Sequence, residues 1–469
     1  MDGMGWRDSV RIKQQQLWSE VPPKWKVDDH LPAQDNVIDT VPAYLSTADR
    51  EITEMPLGQL LDSLRSNEVT AQEALAAFAH RALVAHQFIG ETANNIIGCT
   101  VNPYNGNLSA GGACGGEGAL LALKGSPLGI GTDVAGSVRI PCSFNGLWSL
   151  KCSEGRLPRS GLATVLSGMP TASGSIGLIS NDLGGVSRVF QALLSSEPWG
   201  LSDVDVLELP WRQEKLDAIR RRKSRNGSSG RLVFGVVECD AHVTPHPPVA
   251  KAIATTIQAL ERYGYEVIKW NPPPHAPAVN NLFQIFGSTS AREAREAINA
   301  SGEPPIAQLK EWYEQGDVPP NSSADFWNLC DQRDRYRAQY SAYWASTGDK
   351  TLSGRVPDGI ILPVAPTTAV RSGEFHYYGY SAIANVLDLP SGTIPVSGIH
   401  QLPDEPQDRG QFNRNELDAR IQMSYRKEES YGMPVGIQVM CPRLQEEQVL
   451  GLMEAISEAL ADASGLASP

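Results

Sequence analysis

The chain has 469 residues, 41% hydrophobic and 20% charged, with a net charge of −13. This composition fits one large α/β domain or two to three ordinary ones and excludes a disordered chain. The acidic balance argues against nucleic-acid and anionic-membrane partners, which need clustered Lys and Arg.

The start, MDGMGWRDSVRIKQQQLW, is charged throughout and lacks an apolar signal core. No run approaches the roughly eighteen apolar residues of a membrane-spanning helix. The cysteines Cys99, Cys114, Cys142, Cys152, Cys239, Cys330 and Cys441 are scattered, odd in number and contain no C-x-x-C pair. Free thiols in a reducing compartment are the expectation, and cytoplasm is the default location.

Residues 1–54 are polar, contain several prolines and read as an N-terminal arm on a body spanning 55–469. Met55 to Gln87 is helical in pattern, with Leu57, Leu60, Leu61 and Leu64 at helix spacing. Thr70 and Glu73 form a capping box, each side chain taking up the other residue's backbone N–H. Leu75, Phe78, Ala82 and Leu83 continue one apolar face. From Gly90 to Ser196 small residues alternate with short apolar runs such as Ile176–Ile179, the pattern of buried strands joined by tight loops. Trp211–Gly230 is basic and polar and reads as a solvated connector.

Leu232–Val237 and Glu266–Trp270 read as strands. Between them Val249, Ile253, Ile257 and Leu260 recur at helical spacing up to a stop at Gly264. A strand–helix–strand unit implies a parallel or mixed sheet covered by helices. Residues 272–350 read as mostly helical and 358–366 as a buried strand. Leu444–Leu460 is an amphipathic helix facing the core with Val449, Leu452, Met453, Ile456 and Leu460.

The run GTDVAGS, ending at Ser137, is the chemically informative one. A serine hydroxyl needs a base and a set of oxyanion donors. Small residues let backbone N–H groups approach one point, and Val134, Ala135, Gly136 and Ser137 are the candidate donors. Spacing alone also fits a plain Gly-rich turn between a strand and a helix. Neither GGACGG nor GTDVAG fits the dinucleotide fingerprint, and GSPLGIGTD lacks the P-loop Lys-Ser/Thr pair. Asp133 and Arg139 are expected to hold the Ser137 loop by charge-assisted hydrogen bonds, and Glu117 to open a helix. His242 and His246 have metal-like spacing but lie among prolines without an H-E-x-x-H glutamate, so no metal and no cofactor are expected.

The run GGACGGEGALLALKGSPLGIGTDVAGSVRIP (111–141) resembles the amidase-signature hydrolases, and most of all their fungal acetamidase-type branch. The resemblance continues through ALVAHQ, GETANNIIG, SGSIGLISNDLGGVSRVFQALL, DGIILPVAP, GYSAIANVLDLPSGTIPV and YGMPVGIQVMCPRLQEE, in family order across most of the chain. It implies one α/β domain on a large mixed sheet with helices on both faces, and a small-molecule amide as substrate. A homodimer is compatible with it. It implies Ser137 as the acyl-ester nucleophile. The family's bridging serine, held in a cis peptide, maps to Ala113, and its lysine has no counterpart: no Lys occurs between Lys26 and Lys124. A core block is therefore expected to be missing near residues 87–90. Cys114, His86, Lys124 and Lys151 are poorly placed to substitute. Two other readings stand beside a Ser137 amidase: a noncatalytic amidase-like binding or scaffold protein, and a gene reading from which a segment has been skipped.

Overall fold

In the computed structural model the described residues are 5–27, 36–89, 94–96, 98–165, 168–200, 203–223, 230–314, 319–399 and 414–465. Among the described residues ten strands form two sheets. β1 (Val101–Asn102) and β2 (Asn105–Ser109) make a small antiparallel ribbon. The remaining strands are β3 (Gly129–Asp133), β4 (Trp148–Lys151), β5 (Ser175–Ser180), β6 (Val233–Val236), β7 (Glu266–Lys269), β8 (Gly359–Pro363), β9 (Ser391–Pro395) and β10 (Gly436–Met440). They form one eight-stranded sheet ordered β3-β5-β4-β9-β10-β8-β6-β7. Pairing is antiparallel from β3 to β8 and parallel across β8-β6-β7. The expected large mixed sheet is therefore present.

Both faces are covered, as the strand sequences require. In β8, Ile361 points into one apolar cluster while Ile360 and Leu362 point into the other, the period-two alternation of a strand buried on both sides. Helices Leu183–Ser195, Pro247–Tyr263 and Glu446–Ser464 supply the first cluster. Helices His275–Phe286, Ser323–Ser346 and Gly379–Val386 supply the second.

Several local expectations hold. The Thr70–Glu73 capping box is complete, with Thr70 N–H to Glu73 Oε2 at 2.9 Å and Glu73 N–H to Thr70 Oγ1 at 3.2 Å. Gly264 ends its helix at φ 98°, donating to the carbonyls of Leu260 and Glu261. Helices occupy most of the described part of 272–350.

Three expectations need correction. On helix Ala71–Ile89 the buried face is Ala74, Ala77, Arg81, Val84 and Ala85, while Leu75 is 72% exposed. Arg81 occupies the buried stripe because Leu123 O, Thr53 Oγ1 and Glu54 Oε1 satisfy its guanidinium at 2.6–2.8 Å. Part of the connector around 211–230 is a packed helix, Gln213–Lys223. Leu216 and Ile219, three residues apart, dock it on helix Glu446–Ser464, where the Cβ position of Gly451 lies 2.9 Å from Ile219 Cβ; residues 224–229 lie outside the described ones. The N-terminal arm is integrated at its end. Val37 and Val41 are buried, and helix Thr47–Glu54 reaches helix Ala71–Ile89 through Asp49–His80 at 2.9 Å. Helix Trp6–Glu20 buries no residue.

Candidate active site

Ser137 sits in the turn between β3 and a short helix, Arg139–Asn145. Strand β3 ends at Asp133, and the chain reverses through Val134, Ala135 and Gly136. Gly136 has φ 120°, and a Cβ there would lie 2.5 Å from both Cβ and Oγ of Ser381. No residue with a side chain fits this corner. Ser381 Oγ closes the corner by donating to Ala135 O at 2.6 Å.

The turn is fixed by one buried ion pair. Asp133 Oδ1 accepts the Gly136 N–H at 2.8 Å, and Oδ2 accepts the Val138 N–H at 3.2 Å. Arg139 donates from Nε and Nη2 to the same carboxylate. Its remaining N–H groups go to Ser381 O, Gln438 Oε1 and Asn385 Oδ1 at 2.7–2.8 Å. All five guanidinium donors are thereby satisfied. Burial pushes the Asp133 carboxyl up, but the Arg139 charge and hydrogen bonds outweigh it and hold the group down at about 2. The expected holding role of Asp133 and Arg139 is what the geometry displays.

Both chain neighbours of Ala113 approach Ser137. The Cys114 N–H donates to Ser137 O at 3.2 Å, and a Cβ on Gly112 (φ 59°) would lie 3.1 Å from that same oxygen. Ala113 is exposed on this turn. Among the described residues no peptide bond is cis. The cis geometry that the resemblance implies at position 113 is thus absent; Gly111 and Gly112, both at positive φ, make the turn with trans bonds.

Of the proposed oxyanion donors, Gly136 is already engaged by Asp133. The N–H groups of Val134, Ala135 and Ser137 make no hydrogen bond to another described residue, and neither does the half-buried Ser137 hydroxyl. Among the described residues no base is bonded to that hydroxyl. Lys151, at the end of β4, is buried, and burial lowers its pKa; its Nζ donates to Leu389 O at 3.1 Å. Lys124 pairs with Glu54. Burial pushes the Cys114 thiol up to about 11, which disfavours its thiolate, and its Sγ contacts Thr132 O at 3.6 Å. Glu117 stands in the first turn of helix Gly115–Ala122.

His246 Nε2 bonds Ile421 O at 2.8 Å, whereas His242 packs on Tyr377 and meets Asn415. Among the described residues no three His, Cys, Asp or Glu side chains gather as a metal site would need, and no helix is long and apolar enough to cross a membrane.

Sequence reading missed Ser381, Asn385 and Gln438, the residues that grip Arg139. A signal was present: each is a polar residue inside an apolar run (GYSAIANV, GIQVM), and buried polar groups need partners.

The architecture is that of amide-hydrolysing α/β enzymes. The structure of a fatty acid amide hydrolase superposes with a TM-score of 0.86 at 21% identity, covering 97% of this chain and 95% of that one. In sequence, the Amidase family model matches residues 74–450, and the chain belongs to that family. An acetamidase of Emericella nidulans is 30% identical, with 97% of this chain and 98% of the relative covered. An Aspergillus oryzae acetamidase is 36% identical over 79% of this chain, which spans only 66% of that relative's length. The Emericella alignment runs over 548 positions, so at least 79 of them have no residue in a chain of 469.

Proposed function

We propose that this chain is an amidase-family hydrolase that cleaves carboxylic amides through a Ser137 acyl-enzyme, slowly, because its proton relay is incomplete. The relatives' names specify acetamide and fatty acid amides; the group they share is the carboxylic amide. In the proposed reaction Ser137 Oγ attacks the amide carbonyl and loses its proton, the amine departs protonated, and water then hydrolyses the ester.

One observation carries the reading: the turn around Ser137 is held rigidly by Asp133 and Arg139, while the hydroxyl itself meets no base among the described residues. A preorganised turn without a relay supports oxyanion stabilisation and binding, which alone leave about 10³–10⁴-fold acceleration over water in serine enzymes. The unmatched alignment positions support a missing block that includes the lysine. The joint proposed for it falls where helix Ala71–Ile89 ends; residues 90–93 beyond it lie outside the described ones.

The test is intact-mass analysis after incubation with an ethyl fluorophosphonate. A single adduct mapping to Ser137, absent from Ser137→Ala, is expected. A folded protein that stays unlabelled at millimolar probe would instead support the noncatalytic binding reading. Transcripts carrying additional in-frame sequence between the codons for Gln87 and Gly90 would identify a skipped segment.

A further inference from the structure

Helix Ser323–Ser346 buries Leu329, Arg333, Tyr340 and Trp344, so a guanidinium stands in a largely apolar stripe. Arg333 is buried, and separate segments of the chain receive its donors. Nε donates to Val386 O at 3.0 Å and Nη2 to Asn385 O at 3.4 Å, at the C-terminus of helix Gly379–Val386. A cation is favoured at that end of a helix, where the last carbonyls lack intrahelical donors. Nη1 donates to Thr171 Oγ1 at 2.5 Å, and Nη2 lies 3.9 Å from Glu154 Oε1.

Both anchors lead to the Ser137 turn. The Asn385 side chain grips the buried ion pair: Nδ2 donates to Asp133 O and Oδ1, each at 3.0 Å, and Oδ1 accepts from Arg139 Nη2 at 2.7 Å. Thr171 opens a short segment that reaches the same turn. Ser173 Oγ donates to Glu154 Oε2 at 3.1 Å, and a Cβ on Gly174 would lie 2.8 Å from Val134 Cγ1. Ser175 then enters β5 directly opposite Asp133. Arg333 thus joins the residue that grips the ion pair to the segment that packs on Val134.

We propose that Arg333 is a positioning residue for the Ser137 turn, its fork fixing Asn385 and the 171–174 segment relative to one another. The proposal rests on the Ser137 reading for its catalytic consequence but not for its structural one. A planar guanidinium meets two carbonyls and a hydroxyl at fixed angles, which a single ammonium does not reproduce. Misplacing a preorganised site by about 1 Å costs about a hundredfold in rate, so a residue that never touches substrate still bears on the reaction.

Amide hydrogen exchange at Gly136 and Val138, whose N–H groups both bond Asp133, tests the structural part without requiring catalysis. In Arg333→Met both amides are expected to exchange about tenfold faster, with helix Pro247–Tyr263 unchanged, the mark of local loosening. Arg333→Lys keeps a charge beside Glu154 but not the fork, and should exchange as fast as Arg333→Met. Wild-type exchange in Arg333→Met overturns the proposal, as does acceleration shared by helix Pro247–Tyr263 or a lysine variant that matches the wild type. If Arg333→Met does not fold, Thr171→Val, which removes one acceptor, is read by the same criterion, with about threefold acceleration expected. Fluorophosphonate labelling of the same samples reads the catalytic part. The limiting rate at Ser137 should fall about tenfold or more in Arg333→Met, while the half-saturating probe concentration stays within about threefold. Weaker probe binding at an unchanged limiting rate would overturn the positioning role. Wild-type protein that is never labelled would remove the Ser137 reading and leave exchange to decide on Arg333, so the two failures are distinguishable.

Discussion

Asp133 and Arg139 form a two-contact ion pair from which solvent is wholly excluded, with Nη2 to Oδ1 at 2.9 Å and Nε to Oδ2 at 3.1 Å. The pair closes the seven-residue segment Asp133–Arg139 that carries Ser137 and joins it to β10 through Gln438 and to helix Gly379–Val386 through Asn385 and Ser381. Arg139→Met would leave Asp133 charged, buried and short of its main partner. The expected loss is about 3–5 kcal/mol in urea unfolding, the usual cost of breaking a buried pair from one side. A loss below about 1 kcal/mol would contradict the anchoring role assigned to the pair.

Gly136→Ala should be destabilising by about 1–3 kcal/mol from backbone strain alone, with the contact to Ser381 in addition. Adding Ser381→Ala should not restore stability. It removes Oγ but leaves Cβ within 2.5 Å of the new methyl and leaves φ at 120°. Thermal melts of the single and double variants decide the point, and full rescue would show that the hydroxyl alone made glycine necessary.

Ala113→Ser adds a hydroxyl on the turn that touches Ser137 through the Cys114 N–H. A working acid–base relay contributes about 10²–10⁴-fold, but on the proposed reading this hydroxyl has no lysine to receive its proton. Fluorophosphonate labelling of Ser137 should therefore rise less than about tenfold. A hundredfold rise would mean that another group, with buried Lys151 the first to examine, completes the relay.

His275 is fully buried, with neither ring nitrogen hydrogen-bonded to a described residue. Burial lowers its pKa to about 4, with Asp240 pulling weakly the other way. The unfolded chain takes up this proton near pH 6.5 and the folded one only near pH 4, so stability falls as pH drops through that window and levels off below it. The loss from this residue amounts to about 3 kcal/mol. His275→Phe should flatten the stability profile between those two pH values in chemical unfolding; an unchanged slope would assign it to other groups.

Strand β3 is a terminal strand of the eight-stranded sheet, and Ile130 on it is 60% exposed. It carries neither Lys nor Pro, the residues that commonly blunt a sheet edge. Ile130→Lys should lower light scattering at high protein concentration and change stability by no more than about 0.5 kcal/mol. Scattering equal to that of the wild type would locate self-association elsewhere.

The sequence by itself determined whatever depends on near neighbours. The Thr70–Glu73 box and the stop at Gly264 are built from contacts within a few residues, and the strand–helix–strand unit around 232–270 declares itself by its local hydrophobic periodicity, so their residue types are diagnostic. The 111–141 run was equally legible: Gly136 belongs to a turn that admits no side chain there, and the run identified the family. Tertiary structure alone decided which face of helix Ala71–Ile89 is buried, since Arg81 enters the core only because Thr53, Glu54 and Leu123 await it from other segments. It also decided that Leu216 and Ile219 dock a helix that reads as solvated. The grip on Arg139 belongs here too, because Ser381, Asn385 and Gln438 lie 242 to 299 residues away in the chain. A buried donor specifies that it must be satisfied, but not by which distant carbonyl, and that choice is made only when the sheet brings the segments together.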